Sequence, residues 1–190
     1  MKVVAINGSP RPRGNTALLI GHVFDVLKKE GIQTEMIQLG GHDVRGCRAC
    51  YKCSEIKNVR CNLDDDLING IIAKMSEADG IILGSPTYVT DVTTEMKALI
   101  DRATLVGRAN GHMFRRKVGA AVVAVRRAGA IHAFDTMNHF FTIHQMVVAG
   151  SSYWNMGFGR EPGQVDLDAE GLETMKVLGE NMAWLLKKLR

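Results

Sequence analysis

Every cysteine of this chain falls in the stretch GCRACYKCSEIKNVRC, at positions 47, 50, 53 and 61. The spacing is C-x2-C-x2-C-x7-C. Zinc sites usually combine two separated C-x2-C pairs. Three cysteines in one compact run, with a fourth further on, instead match cubane iron–sulfur ligation, in which the run wraps three corners and the distant thiol closes the last. In bacterial ferredoxins the fourth cysteine of such a run serves a second cluster. This chain has no further thiols, so Cys61 goes with Cys47, Cys50 and Cys53. A zinc ion held by four thiolates and a redox-active thiol pair are the chemical alternatives.

A second candidate is NGSPRPRGNT, residues 7–16. It is neither GxGxxG nor a Walker A loop, since it lacks the lysine that would reach nucleotide β- and γ-phosphates. It does offer Ser9, Asn15 and Thr16 as hydrogen-bonding side chains and Arg11 as a planar fork for phosphate oxygens. Free amides at the start of a following helix add donors and partial positive charge. The set suits one terminal phosphate, such as that of FMN. Taken singly, Asn15 or Thr16 would be an ordinary helix cap; the phosphate reading rests on the ten residues together.

These segments need elements to position them, and strand and helix patterns alternate along the chain. Apolar runs at 2–6 and 80–84 read as buried strands, and those at 117–125 and 146–150 as two further strands. TEMIQL, 34–39, alternates and belongs at a sheet edge. Helical periodicity marks 16–29, 64–78, 93–102, 133–144 and 172–189. The acids at 64–66 read as a solvated helix start. Five β–α units predict an α/β fold: a flavodoxin-like, doubly wound, five-stranded parallel sheet of order 2-1-3-4-5 with helices on both faces. In such a sheet the ligand crevice lies beyond the carboxyl ends of strands 1 and 3, where the order reverses. Residues 7–16 and GSPTYVTD, 84–91, should therefore face each other.

GSPRPRGNT resembles the GSxR…N/T loop of the NADPH-dependent FMN reductase superfamily, and GSPTY and MKALIDR (96–102) match it too. With the compact cysteine motif, the whole chain is similar to the iron–sulfur flavoprotein branch, whose motif binds a [4Fe–4S] cluster. The resemblance implies that Pro86, Thr87, Tyr88 and Val89 pack along the isoalloxazine ring. It implies that RRAGA (126–130) forms a further wall, with Gly129 in it and with Arg126 or Arg127 either stabilising reduced flavin or solvated. The activity implied is electron transfer between cluster and FMN, by a homodimer or homotetramer in which the two approach across a subunit interface. A ferredoxin or another small carrier is the expected partner, with NAD(P)H as an alternative donor. An NAD(P)H-dependent FMN or quinone reductase with a zinc-bound or empty cysteine loop is the first rival function. A non-enzymatic carrier or redox sensor is the second.

The totals set bounds. With 190 residues, 46% hydrophobic and 23% charged, the chain is expected to form a single domain, 1–190, carrying a cysteine-cluster loop at 46–62. Its apolar stretches are too short for a membrane span, and MKVVAINGSP carries no signal-peptide pattern, so a reducing, cytoplasmic setting is expected. The net charge is +4, but basic residues are spread out apart from short clusters at 115–117 and 187–190. That distribution does not point to nucleic acid. The six histidines show no metal-like spacing and read as surface or helix residues. The ten methionines read as core filler. Tyr153 and Trp154 follow the last strand near the cofactor edge.

Overall fold

Lys2–Asn7 forms β1, whose residues 3 to 7 are completely enclosed because the strand is covered on both faces. It pairs in parallel with β2 (Gln33–Gln38) on one side and β3 (Gly80–Pro86) on the other. β3 pairs in parallel with β4 (Val118–Val125), and β4 with β5 (Val147–Val148), which gives the order β2-β1-β3-β4-β5. These relations come from a computed structural model that describes residues 1–189. Arg190, the last of one basic cluster, lies outside them.

Side chains alternate across the sheet, so the core forms two layers. Val3 and Ala5 pack under α1 (Asn15–Lys29) and α6 (Ala169–Lys188) with Leu19, Val23, Leu178 and Met182. Val4 and Ile6 face the opposite layer with α3 (Ile68–Glu77), α4 (Thr94–Ala109) and α5 (Ala130–Ile143). β2 has no fully buried residue, as its alternating pattern and edge position require. Among the described residues, no helix is long and apolar enough to cross a membrane.

Two expectations change. The strand predicted at 146–150 is only two residues long. Beyond Gly150 the chain leaves the sheet through a turn in which Ser151 Oγ donates to Tyr153 O or Asn155 Oδ1, both at 2.6 Å. It then returns as β6 (Met156–Phe158), which pairs with the carboxyl end of β4. The helix predicted at 64–78 begins at Ile68, and the acids before it are not all solvated: the Asp66 side chain is 3% exposed and paired with Arg102. His144, read as a surface or helix residue, caps the end of α5 and is fully buried beside Phe114 and Phe140. Burial pushes its pKa down to about 4, helped by the positive charges of His112 and Arg108.

Candidate functional site

The loop after β1 and the loop after β3 meet at the carboxyl edge of the sheet, at the strand reversal. Gly8 N donates to Gly84 O at 2.8 Å. Thr93, which caps α4, donates its hydroxyl to Gly8 O at 2.9 Å, while its own N–H donates to Ser85 Oγ at 3.1 Å. Gln38, at the end of β2, donates to Ser9 O and Gly40 O, both at 2.6 Å. A Cβ on Gly40 would lie 2.3 Å from Gly8 O, so only glycine lets the third loop close on the first.

Between these loops is a cavity of about 230 Å3 lined by Ser9, Arg11, Asn15, Thr16, Pro86, Thr87, Tyr88 and Arg126. Helix α1 points its start into it. Its cap is Gly14, with no side-chain capping bond, so the first-turn amides remain available to a ligand. The Thr16 and Thr87 hydroxyls are buried without a partner. Buried polar atoms are normally satisfied, so two orphaned hydroxyls on one cavity fit a polar ligand there. Arg11 and Arg126 supply positive charge, and the Pro86–Tyr88 segment supplies an apolar wall. The donor set therefore fits a phosphate-bearing flavin.

Four predicted residues stand differently. Asn15 does not offer its amide to the cavity: Nδ2 donates to Glu161 O at 3.0 Å, and Oδ1 accepts from Gly163 N at 2.9 Å. It thereby fastens residues 159–163 over the pocket, where Gly159 and Arg160 join the lining. The sequence offered only a weak signal for those two, a glycine-rich run after the last strand. Val89 is 97% exposed at the tip of a tight turn between Tyr88 and Asp91, which bond each other through both backbone N–H groups. Val89 and Thr90 have φ of 46° and 66°, a strained state for β-branched residues. Arg127 is exposed and, like Val89, does not line the cavity. Gly129 lies below that turn at φ 83°, where a Cβ would also come within 2.8 Å of Thr90 Cγ2.

The cysteine loop leaves β2 and packs along α4. All four thiols are free and line one cavity, walled by Leu63, Arg102, Leu105 and Val106. Cys53 is buried in the short helix α2 (Lys52–Ile56), while Cys50 is exposed. Ala49, Tyr51, Lys57 and Val59 all have positive φ, between 50° and 63°. Such backbone persists only where surroundings impose it. Among the described residues no three His, Cys, Asp or Glu side chains converge on a single metal-ion position. The chemistry of the donor set, four soft thiols around one space, fits an iron–sulfur cluster.

Buried side chains hold the far end of this loop. Asn69 accepts from Cys61 N at 2.8 Å and donates to Cys61 O and Leu63 O at 2.9 and 3.1 Å. Arg102, 1% exposed, donates to Cys61 Sγ at 3.3 Å, Arg45 O at 3.1 Å, Leu63 O at 2.6 Å and the Asp66 carboxylate. Burial pushes the Asp66 carboxyl up, but the Arg102 guanidinium and the Ile68 and Arg45 amides outweigh it and hold it below the usual carboxylate range. In the sequence Arg102 belongs to the MKALIDR motif and Asp66 to an apparently solvated helix start, and nothing there ties either of them, or Asn69, to the cysteines.

Residues 1–161 match the family described as NADPH-dependent FMN reductase. An iron–sulfur flavoprotein of Methanocaldococcus jannaschii is 40% identical over 197 residues, with all of both chains covered. An iron–sulfur flavoprotein of Methanosarcina thermophila is 31% identical over 192 residues, covering all of this chain and 97% of its own. The solved structure of the flavodoxin, WrbA-like protein from Agrobacterium tumefaciens superposes with a TM-score of 0.67 at 17% identity, covering 100% of this chain and 98% of that one. That likeness bears on the fold alone. The chain is a flavin-dependent oxidoreductase that belongs to the NADPH-dependent FMN reductase family, beside the iron–sulfur flavoproteins.

Proposed function

We propose that the protein moves electrons between FMN and a [4Fe–4S] cluster, with a ferredoxin or similar small carrier as partner. The observation that carries this is the single cavity faced by Cys47, Cys50, Cys53 and Cys61, in a chain that has a separate phosphate-and-flavin cavity at the sheet edge. When bound, FMN supplies one- and two-electron transfer and the cluster supplies one-electron transfer. The chain's residues bind and orient. Thr16, Arg11 and the first-turn amides of α1 take the phosphate, Pro86, Thr87 and Tyr88 take one face of the ring, and Arg126 supplies positive charge beside it.

Helix α4 starts beside the flavin cavity, and its residues from Arg102 to Val106 wall the cysteine cavity. At 1.5 Å per residue those residues lie roughly 12–18 Å down the helix from Thr94. A dimer or tetramer that brings one subunit's cysteine loop to another's flavin edge shortens that path. Light scattering on the eluted protein that gives monomer alone would remove this part of the reading.

The deciding experiment is iron, acid-labile sulfide, zinc and flavin content after anaerobic purification. About four irons and four sulfides per chain with one FMN are expected. FMN with zinc, or with no metal, would instead favour an NAD(P)H-dependent flavin or quinone reductase, the reading that the family's description favours. Stopped-flow bleaching then separates donors: slow reduction by NADPH with fast reduction by reduced ferredoxin is expected.

A further inference from the structure

We propose that Arg102 is a positioning residue for the metal centre: its Nε–H donates to the Cys61 sulfur and raises the reduction potential of the bound cluster. The proposal rests on the cluster reading above.

Arg102 is buried on α4, and every nitrogen of its guanidinium has a partner. One Nη1 proton goes to Asp66 and another to Arg45 O, while Nη2 donates to Leu63 O. A guanidinium is planar, so those bonds fix the direction of the remaining Nε–H, which points at Cys61 Sγ from 3.3 Å. Anchoring the loop alone would not require this bond. Asn69 already ties down Cys61 N, Cys61 O and Leu63 O, and burying a guanidinium is expensive unless its charge is compensated. Asp66 compensates it, which leaves the sulfur facing an oriented donor rather than a naked positive charge. By contrast, the Cys47 sulfur accepts from a backbone amide, that of Ala49, at 3.4 Å.

The direction of the effect follows from charge. Reduction adds one electron to the cluster, and part of that density falls on the ligand sulfurs. A donor at Cys61 Sγ therefore bonds the reduced form more strongly, which raises the potential. A tenfold bias toward the reduced form corresponds to 59 mV for one electron.

The first test needs no substitution. Anaerobically purified protein carrying arginine labelled with 15N in the guanidinium is reduced with dithionite and examined by pulsed electron paramagnetic resonance. A weak 15N coupling to the reduced cluster is expected. Its absence, with the cluster signal intact, overturns the proposal. The second test is a redox titration of Arg102→Lys and of the paired Arg102→Leu, Asp66→Leu variant, which leaves no unpaired buried charge. The cluster midpoint should fall by about 59 mV in the paired variant while the flavin midpoint stays put. An unchanged cluster midpoint at full iron content overturns the proposal. If the variants lose iron, the labelled wild-type protein decides. Wild-type protein without iron or sulfide would overturn the cluster reading, and this proposal with it.

Discussion

Around the flavin cavity the backbone does most of the holding. Gly8 N reaches Gly84 O, Thr87 N reaches Ala124 O, Gly159 N reaches Val125 O, and three strand ends bring the loops together. Around the cysteines no strand is present. Buried side chains, Asn69, Asp66 and Arg102, hold the loop from the sides, and its backbone repeatedly visits positive φ. A site built on strand ends follows from topology, since the order of five strands dictates which loops meet. A site held by side chains depends on partners far apart in sequence, and a single change can undo it.

The largest expected effect tests whether the two regions are independent. Cys61→Ser should remove most of the iron and sulfide, because the distant thiol closes the ligand set, while FMN content stays at one per chain. Metal and flavin assays on the same anaerobic preparation decide it. Loss of both cofactors together would mean that the cysteine loop also supports the flavin cavity, and the contrast would collapse.

Asp66→Asn comes next. It leaves the Arg102 guanidinium buried without its counter-charge, a defect that costs about 3–5 kcal/mol. Urea unfolding of the apoprotein should show that loss, and reconstituted iron should fall with it. An equivalent substitution at an exposed pair such as Lys52–Glu55 should cost at most about 1 kcal/mol. If the two cost the same, the buried side chains are not what holds the loop.

How much of this is legible in the sequence follows the same division. The strand order, the facing loops and the loop residues Ser9, Arg11 and Thr16 can be read from apolar runs and loop chemistry, because local patterns decide them, whereas Pro86, Thr87, Tyr88 and Arg126 follow only from the family resemblance and Gly159 and Arg160 from neither. Asp66 cannot be read so, since it stands in a run of three acids that looks like a solvated helix start and its partner lies 36 residues away. Asn15 illustrates an intermediate case: its position beside the cavity is readable, but its bonds to Glu161 O and Gly163 N depend on a loop that no periodic pattern places. The split of the fifth strand into β5 and β6 is likewise invisible, because Gly150 ends one apolar run without showing where the chain returns.

His144 sharpens the comparison through pH. Its ring packs against Phe114 and Phe140, with both nitrogens unpartnered, and its Cε1 would meet a Cβ on Gly107 of α4. The folded-state pKa is pushed down to about 4 from 6.5. The unfolded chain therefore takes up the proton first as the pH falls. Stability from this group is complete above about pH 6.5, declines between 6.5 and 4 and is level below, with a total loss of about 3 kcal/mol. His144→Phe should flatten that part of the stability-versus-pH curve. Since His144 lies against the half of α4 that walls the cysteine cavity, acid should release iron before FMN in the wild type. Simultaneous release would show that α4 transmits the strain to the rim as well.

The smallest expected effect belongs to the backbone-held region, and its smallness is informative. Thr16 Oγ1 is buried with no partner in the protein, so removing it should not destabilise the apoprotein. Thr16→Val keeps the shape and deletes the hydroxyl. If that hydroxyl donates to the flavin's phosphate, its loss costs about 1.5 kcal/mol, or roughly tenfold in FMN affinity, because the first-turn amides and Arg11 retain most of the binding. Fluorescence titration of apoprotein with FMN and with riboflavin separates the terms: the tenfold loss should appear with FMN and vanish with riboflavin, which lacks the phosphate. An equal loss with both would place Thr16 against the ring or ribityl chain and move the phosphate elsewhere in the cavity. Unchanged affinity for both would leave the orphaned hydroxyl without a ligand to serve, and the rim would then be held together by backbone alone.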